Sequence, residues 1–345
     1  MTRDDAVRPE HGSAAPHPVP RRPLIGISAP CFNEEANIVE LIERIRAAFR
    51  ELPDYDYEIL LIDNASTDGT VEVIKGLAAD DRRIKLIINA RNYGHVRSPL
   101  HAFLHARGDA VIGMASDLQD PPELIPAFVR HWEQGFKVVT GVKPQSRETF
   151  AMFIARRLYY KGVGGISDVP LIENFTGFGL YDREVVEQVR ATGDRYPYFR
   201  GLIADFGYAR AEVPFVQPPR LRGISKNNFY TLYDIAMLGM TSHSKVPLRL
   251  ATMAGFALSV VSLLVAVSYL IAKLFWWNDF SVGIAPLVIG VFFFASVQLF
   301  FVGILGEYIG AIHTQVHKRP LVVESERVNF ADEPAYGERR GQPWW

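Results

Sequence analysis

Two long uncharged stretches near the C-terminus limit what this chain can fold into more than any other feature. Residues 250–272 and 280–306 contain no Asp, Glu, Lys or Arg and consist mainly of aliphatic, aromatic and small residues. Each is longer than the roughly 20 residues with which an α-helix crosses the hydrocarbon core of a bilayer. Buried helices of a globular core are the alternative. The link at residues 273–279 is too short for a domain, so the sequence predicts a hairpin of two transmembrane helices.

Basic residues flank both stretches. Lys245 and Arg249 precede the first, and Lys318 and Arg319 follow the second. Positively charged flanks remain on the cytoplasmic side of a membrane. The single cysteine, Cys31, fits a reducing compartment. We therefore expect a protein integral to the cytoplasmic (inner) membrane, with the domain that precedes the hairpin and both termini in the cytoplasm.

Before the apolar stretches, short apolar segments alternate with helical patterns. Strands are predicted at residues 24–29, 57–63, 83–89, 109–115 and 136–141. Between the first two, Ile38, Ile42, Ile45 and Phe49 recur at the spacing of one helix face. Repeated strand–helix units predict an α/β fold, in which a mostly parallel sheet is covered by helices on both faces. Ligands bind such sheets at the carboxyl ends of the strands.

The loops after the first four strands are polar and rich in turn formers: "PCFNEE", "DNASTDGT", "ARNYGH" and "SDLQDPPE". Such loops suit a nucleotide, yet the chain has neither the Gly-rich dinucleotide fingerprint nor a Walker loop. It also lacks a histidine–cysteine cluster with zinc spacing. A formal net charge of −1 gives no electrostatic reason to expect nucleic acid as a partner. Dehydrogenases, P-loop enzymes and nucleic-acid-binding proteins are therefore disfavoured.

Six motifs occur in order between residues 24 and 330: "APCFNEEANI", "LIDNASTDGT", "ARNYG", "SDLQDPPELI", "RLRGISK" and "ILGEYIGAIHTQVHKRPLVVESERVNF". In this combination the chain resembles the glycosyltransferase family 2 enzymes that move a sugar from a nucleotide donor to a polyprenyl phosphate. These are the dolichyl- and undecaprenyl-phosphate sugar transferases, such as dolichyl-phosphate mannose synthase. The resemblance implies a GT-A fold with a Rossmann-like nucleotide-sugar domain, and inversion at the anomeric carbon.

The chain then divides into five parts. Residues 1–22 carry charges and prolines without a signal-peptide core and are expected to form a flexible tail. Residues 23–226 would form the GT-A domain, 227–249 a juxtamembrane amphipathic segment, 250–306 the two membrane helices, and 307–345 a cytoplasmic C-terminal segment. An interfacial helix fits the apolar residues 229–240, with a buried core helix as the alternative. Asp120 is expected to cap a helix that begins at Pro121.

The resemblance implies a nucleotide-sugar site in the first three loops. The base pocket would be formed by Pro30, Phe32, Asn33 and Glu34, with the ring of Phe32 stacked on the base. Asp63 and Ser66 would hold the nucleoside, and Arg91 would contact the nucleotide or its diphosphate. A polar turn that only caps the helix from Thr70 is the alternative interpretation of "DNASTDGT".

The fourth loop departs from the family pattern. Relatives carry Asp-x-Asp before Leu-Gln, whereas Ala115, Ser116 and Asp117 stand here. A leaving diphosphate needs its developing charge neutralised, which Mg²⁺ or Mn²⁺ does while held by oxygen ligands. Asp117 and Gln119 remain as metal ligands, and Mg²⁺ accepts few protein ligands when phosphates and waters complete its coordination. A metal-independent or inactive protein is the alternative, and Asp117 could instead orient the acceptor.

The acceptor is expected to need cations more than a strong base, because a lipid phosphate is already anionic. The resemblance implies an acceptor-phosphate site formed by Lys143, Arg147, Arg220, Ser225 and Lys226. Asp117, Arg220 and Lys226 would form the catalytic set. Relatives often carry arginine where Lys143 stands, and lysine offers a phosphate a point charge without a bidentate grip.

Two hypotheses from different classes follow. The first is an inverting transferase that moves a sugar from a UDP- or GDP-sugar to a polyprenyl phosphate, for cell-envelope glycan or glycolipid assembly. The second is a catalytically silent homologue that acts as a scaffold or subunit in envelope polysaccharide assembly, and its support is the missing carboxylate at Ala115. Relatives associate through their membrane hairpins, so the resemblance also allows a homo-oligomer.

Overall fold

The computed structural model describes residues 21–143, 175–218, 237–239, 241, 246–275, 284–317 and 319–330. The strands are β1 (Leu24–Cys31), β2 (Asp56–Asp63), β3 (Ile84–Asn89), β4 (Ala110–Gly113), β5 (Val138–Val142), β6 (Phe175–Asp182), β7 (Arg210–Pro214) and β8 (Glu324–Val328). The helices are α1 (Glu35–Arg50), α2 (Thr70–Asp80), α3 (Gly94–His105), α4 (Ile125–Glu133), α5 (Arg183–Ala191), α6 (Phe199–Asp205), α7 (Val246–Phe275) and α8 (Ile284–Val316). A 3₁₀ helix spans Pro122–Leu124.

The strands form one mixed sheet in the order β7-β5-β6-β4-β1-β2-β3-β8. The pairings among β1 to β4 are parallel, as is that of β5 with β7, whereas β6 and β8 pair antiparallel with their neighbours. β2 and β3 lie on one side of β1, and β4 lies on the other. The loops after β1 and β4 therefore diverge at a topological switch point, which is where ligands bind in α/β sheets.

Helices cover both faces of the sheet, as the alternating pattern predicts. One apolar layer joins α1, α2 and α4 to the sheet, and the other joins α3, α5 and α6. Ile38, Ile42, Ile45 and Phe49 are all buried, which confirms the predicted inner face of α1. The five predicted strands are present, although β4 ends at Gly113, two residues early.

The two apolar helices lie after this domain. Both contain stretches that are long and apolar enough to cross a membrane, with mean hydropathy of 1.9 over Val246–Val265 and 1.8 over Gly290–Val316. Phe256, Phe275 and Leu299 are at least 70% exposed. A soluble protein rarely exposes a large apolar surface of this kind. The helices are therefore not buried elements of the globular core.

After α8 the chain returns to the sheet, which the sequence did not indicate. The returning strand β8 pairs antiparallel with β3 and forms one edge of the sheet. The ammonium of Lys75 lies 2.7 Å from the carboxylate of Glu326, and the Asn329 amide donates to the carbonyls of Ala78 and Ile84. These contacts fix the segment that follows the second apolar helix to α2 and to the β3 edge of the sheet.

A buried charged cluster joins β8 to α3. His101 Nε2 lies 2.5 Å from a carboxylate oxygen of Glu324, which also accepts hydrogen bonds from Arg327. Burial by itself would raise the pKa of Glu324, but the hydrogen bonds from Arg327 and His101 lower it to about 2. His105 brings its ring nitrogen within 4.8 Å of the other ligand atoms, at metal-site spacing. Because the Arg327 guanidinium already neutralises Glu324, we interpret the cluster as a salt bridge that joins α3 to β8 and not as a metal site.

Candidate active site

The loops after β1 and β2 are joined into one rim by hydrogen bonds. The Asn33 amide N–H donates to Ser66 Oγ over 2.9 Å, and the Asn33 side-chain oxygen accepts from the Thr67 N–H over 2.8 Å. The Glu34 N–H donates to Thr70 Oγ1. Asn33 has a φ of 59°, a left-handed conformation that asparagine adopts more readily than most residues. Asn33 and Ser66, both predicted nucleotide-site residues, therefore hold the rim together.

Asp63 ends β2 beneath this rim and is fully buried. One of its carboxylate oxygens accepts a hydrogen bond from the Ser66 N–H over 2.9 Å. The other, Oδ1, has no hydrogen-bond partner among the described residues. Buried polar atoms are nearly always hydrogen-bonded, so a buried carboxylate oxygen without a partner calls for an explanation. A donor group of a bound ligand or of an ordered water would satisfy it.

The loop after β3 is supported by asparagines that the sequence reasoning overlooked. The Asn89 amide donates to the side-chain oxygen of Asn64 (3.1 Å) and to Ser98 Oγ (2.9 Å). The same Asn64 oxygen accepts from the Tyr93 N–H. On this support the Arg91 guanidinium lies 4.1 Å above the ring of Tyr93 and is exposed. Asparagine at the ends of two neighbouring strands was the available signal for this network.

The loop after β4 carries the predicted metal ligands. Leu118 has a left-handed backbone, with a φ of 62°, and buries its side chain in the core. Its neighbours Asp117 and Gln119 are both partly exposed, and the Asp117 carboxylate accepts from the Gln119 N–H over 3.1 Å. Ser116 Oγ donates to the carbonyl of Pro30, which ties this loop to the end of β1. The loop therefore presents two oxygen-bearing side chains beside the switch point.

The predicted capping role of Asp120 is wrong. The 3₁₀ helix that follows begins after Pro121 and has no side-chain cap. The Asp120 carboxylate is buried and accepts from the Ala115 N–H over 2.8 Å, which closes the loop and ends β4 early. Burial raises the pKa of Asp120 to about 6, and the charge of Asp117 acts in the same direction, against the hydrogen bond from Ala115.

The oxygen atoms of this loop fit a divalent cation that shares its coordination with phosphate. Asp117 supplies a carboxylate and Gln119 an amide oxygen, whereas the Ala115 side chain supplies no ligand. Asp120 is a second carboxylate of the loop, but it is buried and bound to the backbone. Mg²⁺ and Mn²⁺ prefer oxygen ligands, and Mg²⁺ commonly keeps waters and substrate phosphates. The site suits a cation held only in part by protein.

A cavity of about 300 Å³ lies at the switch point. Pro30 and Ala115 form its wall at the ends of β1 and β4, and Thr176 and Gly177 border it from the start of β6. Most of the remaining lining is apolar and comes from α3, from the residues at the start of α6 and from Leu238. Charged side chains at the cavity are Asp120 and Arg200, the second of which the sequence reasoning did not select.

The predicted acceptor-phosphate residues are only partly described. Lys143 follows β5 and is half-buried, and its Nζ donates to the side-chain oxygen of Gln217 over 2.7 Å. Burial lowers the pKa of Lys143, and the positive charge of Arg200 acts in the same direction against Asp120 and Asp117. The other four predicted acceptor residues lie outside the described residues: Arg147, Arg220, Ser225 and Lys226.

Comparisons with known proteins identify the family. The model of glycosyl transferase family 2 matches residues 27–190. The SfII prophage-derived bactoprenol glucosyl transferase of Shigella flexneri is 34% identical over 88% of this chain and 99% of its own length. The chain belongs to glycosyl transferase family 2. The glycosyltransferase sll0501 of Synechocystis sp. (strain ATCC 27184 / PCC 6803 / Kazusa) is a further relative, 32% identical over 88% of this chain and 95% of its own length.

The family assignment confirms the expected enzyme class and fold. This family 2 member is a glycosyltransferase with a GT-A domain, followed by two apolar helices. Among solved structures, it resembles the mannosyltransferase PcManGT from Pyrobaculum calidifontis in complex with GDP-Man and Mn²⁺. That likeness has a TM-score of 0.44 at 17% identity and covers 87% of this chain and 89% of the other.

Proposed function

We propose that this glycosyltransferase moves a sugar from a UDP- or GDP-sugar to a polyprenyl phosphate at the cytoplasmic face of the inner membrane, for envelope glycan or glycolipid assembly. The observation that carries the lipid acceptor is the pair of long, exposed apolar helices tied to the catalytic domain. The similarity to bactoprenol glucosyl transferases, which covers 88% of this chain, supports the same acceptor class. Both termini would be cytoplasmic, and association through the apolar helices would give a homo-oligomer.

The donor would bind across the loops after β1, β2 and β3. The partnerless Oδ1 of Asp63 supports a nucleoside contact at this residue, because a base or ribose donor would satisfy it. Ser66 would assist it, and the partly exposed Phe32 would stack on the base between Pro30 and the Asn33–Glu34 turn. The exposed guanidinium of Arg91 would contact the phosphates.

A divalent cation, Mg²⁺ or Mn²⁺, would be held by Asp117 and Gln119 together with the donor's phosphates. When bound, such a cation neutralises the negative charge that develops on a leaving nucleoside diphosphate. The left-handed Leu118 keeps both ligands on the partly exposed side of the loop. The buried Asp120 would hold the loop in place through Ala115, without joining the coordination.

The reaction needs positioning more than proton transfer. An oxygen of the lipid phosphate would bond to the anomeric carbon, while the bond from that carbon to the donor's β-phosphate oxygen breaks. The electron pair leaves with the nucleoside diphosphate, so no proton has to move. Attack from the face opposite the leaving group inverts the anomeric configuration. Lys143, Arg147, Arg220, Ser225 and Lys226 would hold the two anions close together.

The alternative is a silent homologue that serves as a scaffold or subunit, and Ala115 is the observation that favours it. A transfer assay separates the two. Purified protein in detergent is given undecaprenyl phosphate and a panel of radiolabelled UDP- and GDP-sugars, with Mg²⁺, with Mn²⁺ or with EDTA. The transferase proposal predicts one labelled lipid product that EDTA abolishes and that Asp117→Asn reduces at least roughly tenfold. No product and no nucleotide binding with any donor would favour the scaffold.

A further inference from the structure

Arg200 is a charged residue near the proposed active site whose guanidinium has no evident partner among the described residues. It lies in the first turn of α6, is half-buried, and borders the cavity at the switch point. Among the described residues it makes no hydrogen bond or ion pair. A guanidinium has five N–H donors and remains charged in proteins, so a half-buried one is ordinarily paired. Here its position beside a cavity points to a bound ligand as its partner.

A second cation lies close to Arg200. The half-buried ammonium of Lys143 has a neutral partner, the amide oxygen of Gln217, and it feels the positive charge of Arg200. Two partly buried cations that repel each other are unfavourable unless an anion binds between them. Asp120 offsets part of this charge, but its carboxylate is buried against the Ala115 N–H. The arrangement therefore suits an added anion.

The cavity beside Arg200 indicates the rest of the ligand. Its apolar wall includes Val96, Pro99, Leu100 and Phe103 of α3, and Leu238 from the region that precedes the first apolar helix. Of the proposed donor residues, Pro30 alone lines it; Asp63, Ser66 and Arg91 lie on the β2–β3 side of the switch point. An anion with an adjoining hydrocarbon chain fits such a cavity better than a nucleotide does.

We propose that Arg200, together with Lys143, binds a phosphate group of the reaction, and that this phosphate is the monoester of the lipid acceptor, with the first isoprene unit against α3. The assignment rests on the proposed function and adds a residue to it. The planar guanidinium would take two phosphate oxygens through paired N–H donors, which leaves the third oxygen to attack the anomeric carbon. The donor's diphosphate is the other possible source of the phosphate.

The test compares Arg200→Gln with Arg200→Lys and with a matched control, Arg210→Gln. Arg210 is exposed on β7, and its one ion pair among the described residues is with Glu212, so its loss removes the same charge away from the cavity. Three quantities are measured in detergent: the affinity for the nucleoside diphosphate, the affinity for geranyl phosphate, and the KM for undecaprenyl phosphate. Thermal unfolding is recorded for every variant.

We expect Arg200→Gln to weaken geranyl phosphate binding and raise the lipid KM by roughly 10- to 100-fold, as for a lost charge-assisted hydrogen bond. Arg200→Lys should recover part of the loss, and nucleoside diphosphate affinity should stay within about twofold of wild type. The melting temperature should not fall, because no described ion pair is lost. Geraniol, which lacks the phosphate, should bind wild type and variant equally.

Two outcomes overturn the proposal. If Arg200→Gln weakens nucleoside diphosphate binding and leaves geranyl phosphate unaffected, the phosphate belongs to the donor. If neither affinity changes by more than in Arg210→Gln, Arg200 binds no phosphate. Failure of the proposed function gives a different result, because the wild type would then bind geranyl phosphate through Arg200 but form no lipid-linked sugar.

Discussion

Replacing Asp63 by asparagine should weaken nucleotide binding while making the ligand-free protein more stable. The Asp63 side chain is fully buried, and only one of its carboxylate oxygens has a described partner, the Ser66 N–H at 2.9 Å. Asparagine keeps an oxygen for that N–H and replaces the partnerless charged atom by a neutral one. Leaving a buried polar group unsatisfied costs about 1–3 kcal/mol, and more when it is charged. Since the asparagine NH₂ also lacks a partner, we expect a net gain of about 1 kcal/mol in the free energy of unfolding.

The effect on binding has the opposite sign. A hydrogen bond to a charged group contributes roughly 1.5–3 kcal/mol. Its loss raises the Kd for the nucleotide roughly 10- to 140-fold, at about 1.4 kcal/mol for each factor of ten. Calorimetric titration with the nucleoside diphosphate and thermal unfolding without ligand measure the two effects on the same preparation.

The matched control is Asp68→Asn, in the same loop. One carboxylate oxygen of Asp68 accepts hydrogen bonds from the N–H and the hydroxyl of Thr70 at the start of α2, and asparagine keeps a side-chain oxygen in that place. Both unfolding and binding free energies should therefore change by less than about 1 kcal/mol. If Asp63→Asn lowered the melting temperature and bound nucleotide as tightly as wild type, Oδ1 of Asp63 would not be a ligand contact.

Three further predictions concern the stability of the fold and the contact between the loops after β1 and β2. Glu324→Gln should lower the free energy of unfolding by about 2 kcal/mol at pH 7, because it breaks a buried charged cluster. The folded pKa of Glu324 is about 2, against an ordinary value of 4.5. Its contribution to the free energy of unfolding is therefore complete above pH 4.5 and is lost as the pH falls toward 2. The stabilities of wild type and variant should converge in acid unfolding curves. Gly26→Ala should lower the free energy of unfolding, measured by thermal unfolding, by about 3 kcal/mol or more, because the new Cβ would lie 2.0 Å from a backbone carbonyl oxygen. Gly76→Ala is the control: its Cβ would have nothing within 4 Å, so the change should stabilise α2 by about 1 kcal/mol. Asn33→Ala removes the hydrogen bonds to the neighbouring loop and should raise the donor KM about tenfold, with the lipid KM unchanged in steady-state assays; a change in the lipid KM alone would contradict this role.

The sequence was sufficient to predict those parts of the fold that depend on residues close together in the chain. The two uncharged runs are long enough to span a bilayer wherever they occur, and they form the helices α7 and α8. The inner face of α1 follows from the spacing of its isoleucines, and the polar residues of the first four loops lie at strand ends. These features depend on residues within one helix, one strand or one turn, so residues that are neighbours in the sequence specify them.

Other features depend on which distant segments meet. The strand β8 has the polar sequence "ESERV", which carries no strand pattern, and it forms because the edge of β3 and the side chains of α3 are there to bind it. Asp120 has the local signature of a helix cap, yet burial and the Ala115 N–H turn it inward.

The same division applies to the site. The sequence alone determined two apolar helices of membrane-spanning length after an α/β domain, and it identified Asp63 at the end of a strand and Asp117 and Gln119 in the loop after another. Only the tertiary structure decided that Asp63 keeps an oxygen without a described partner and that Arg200 borders a cavity close to Lys143. Burial, pairing and charge proximity arise between residues far apart in the chain, so they exist only once the sheet order has brought those residues together.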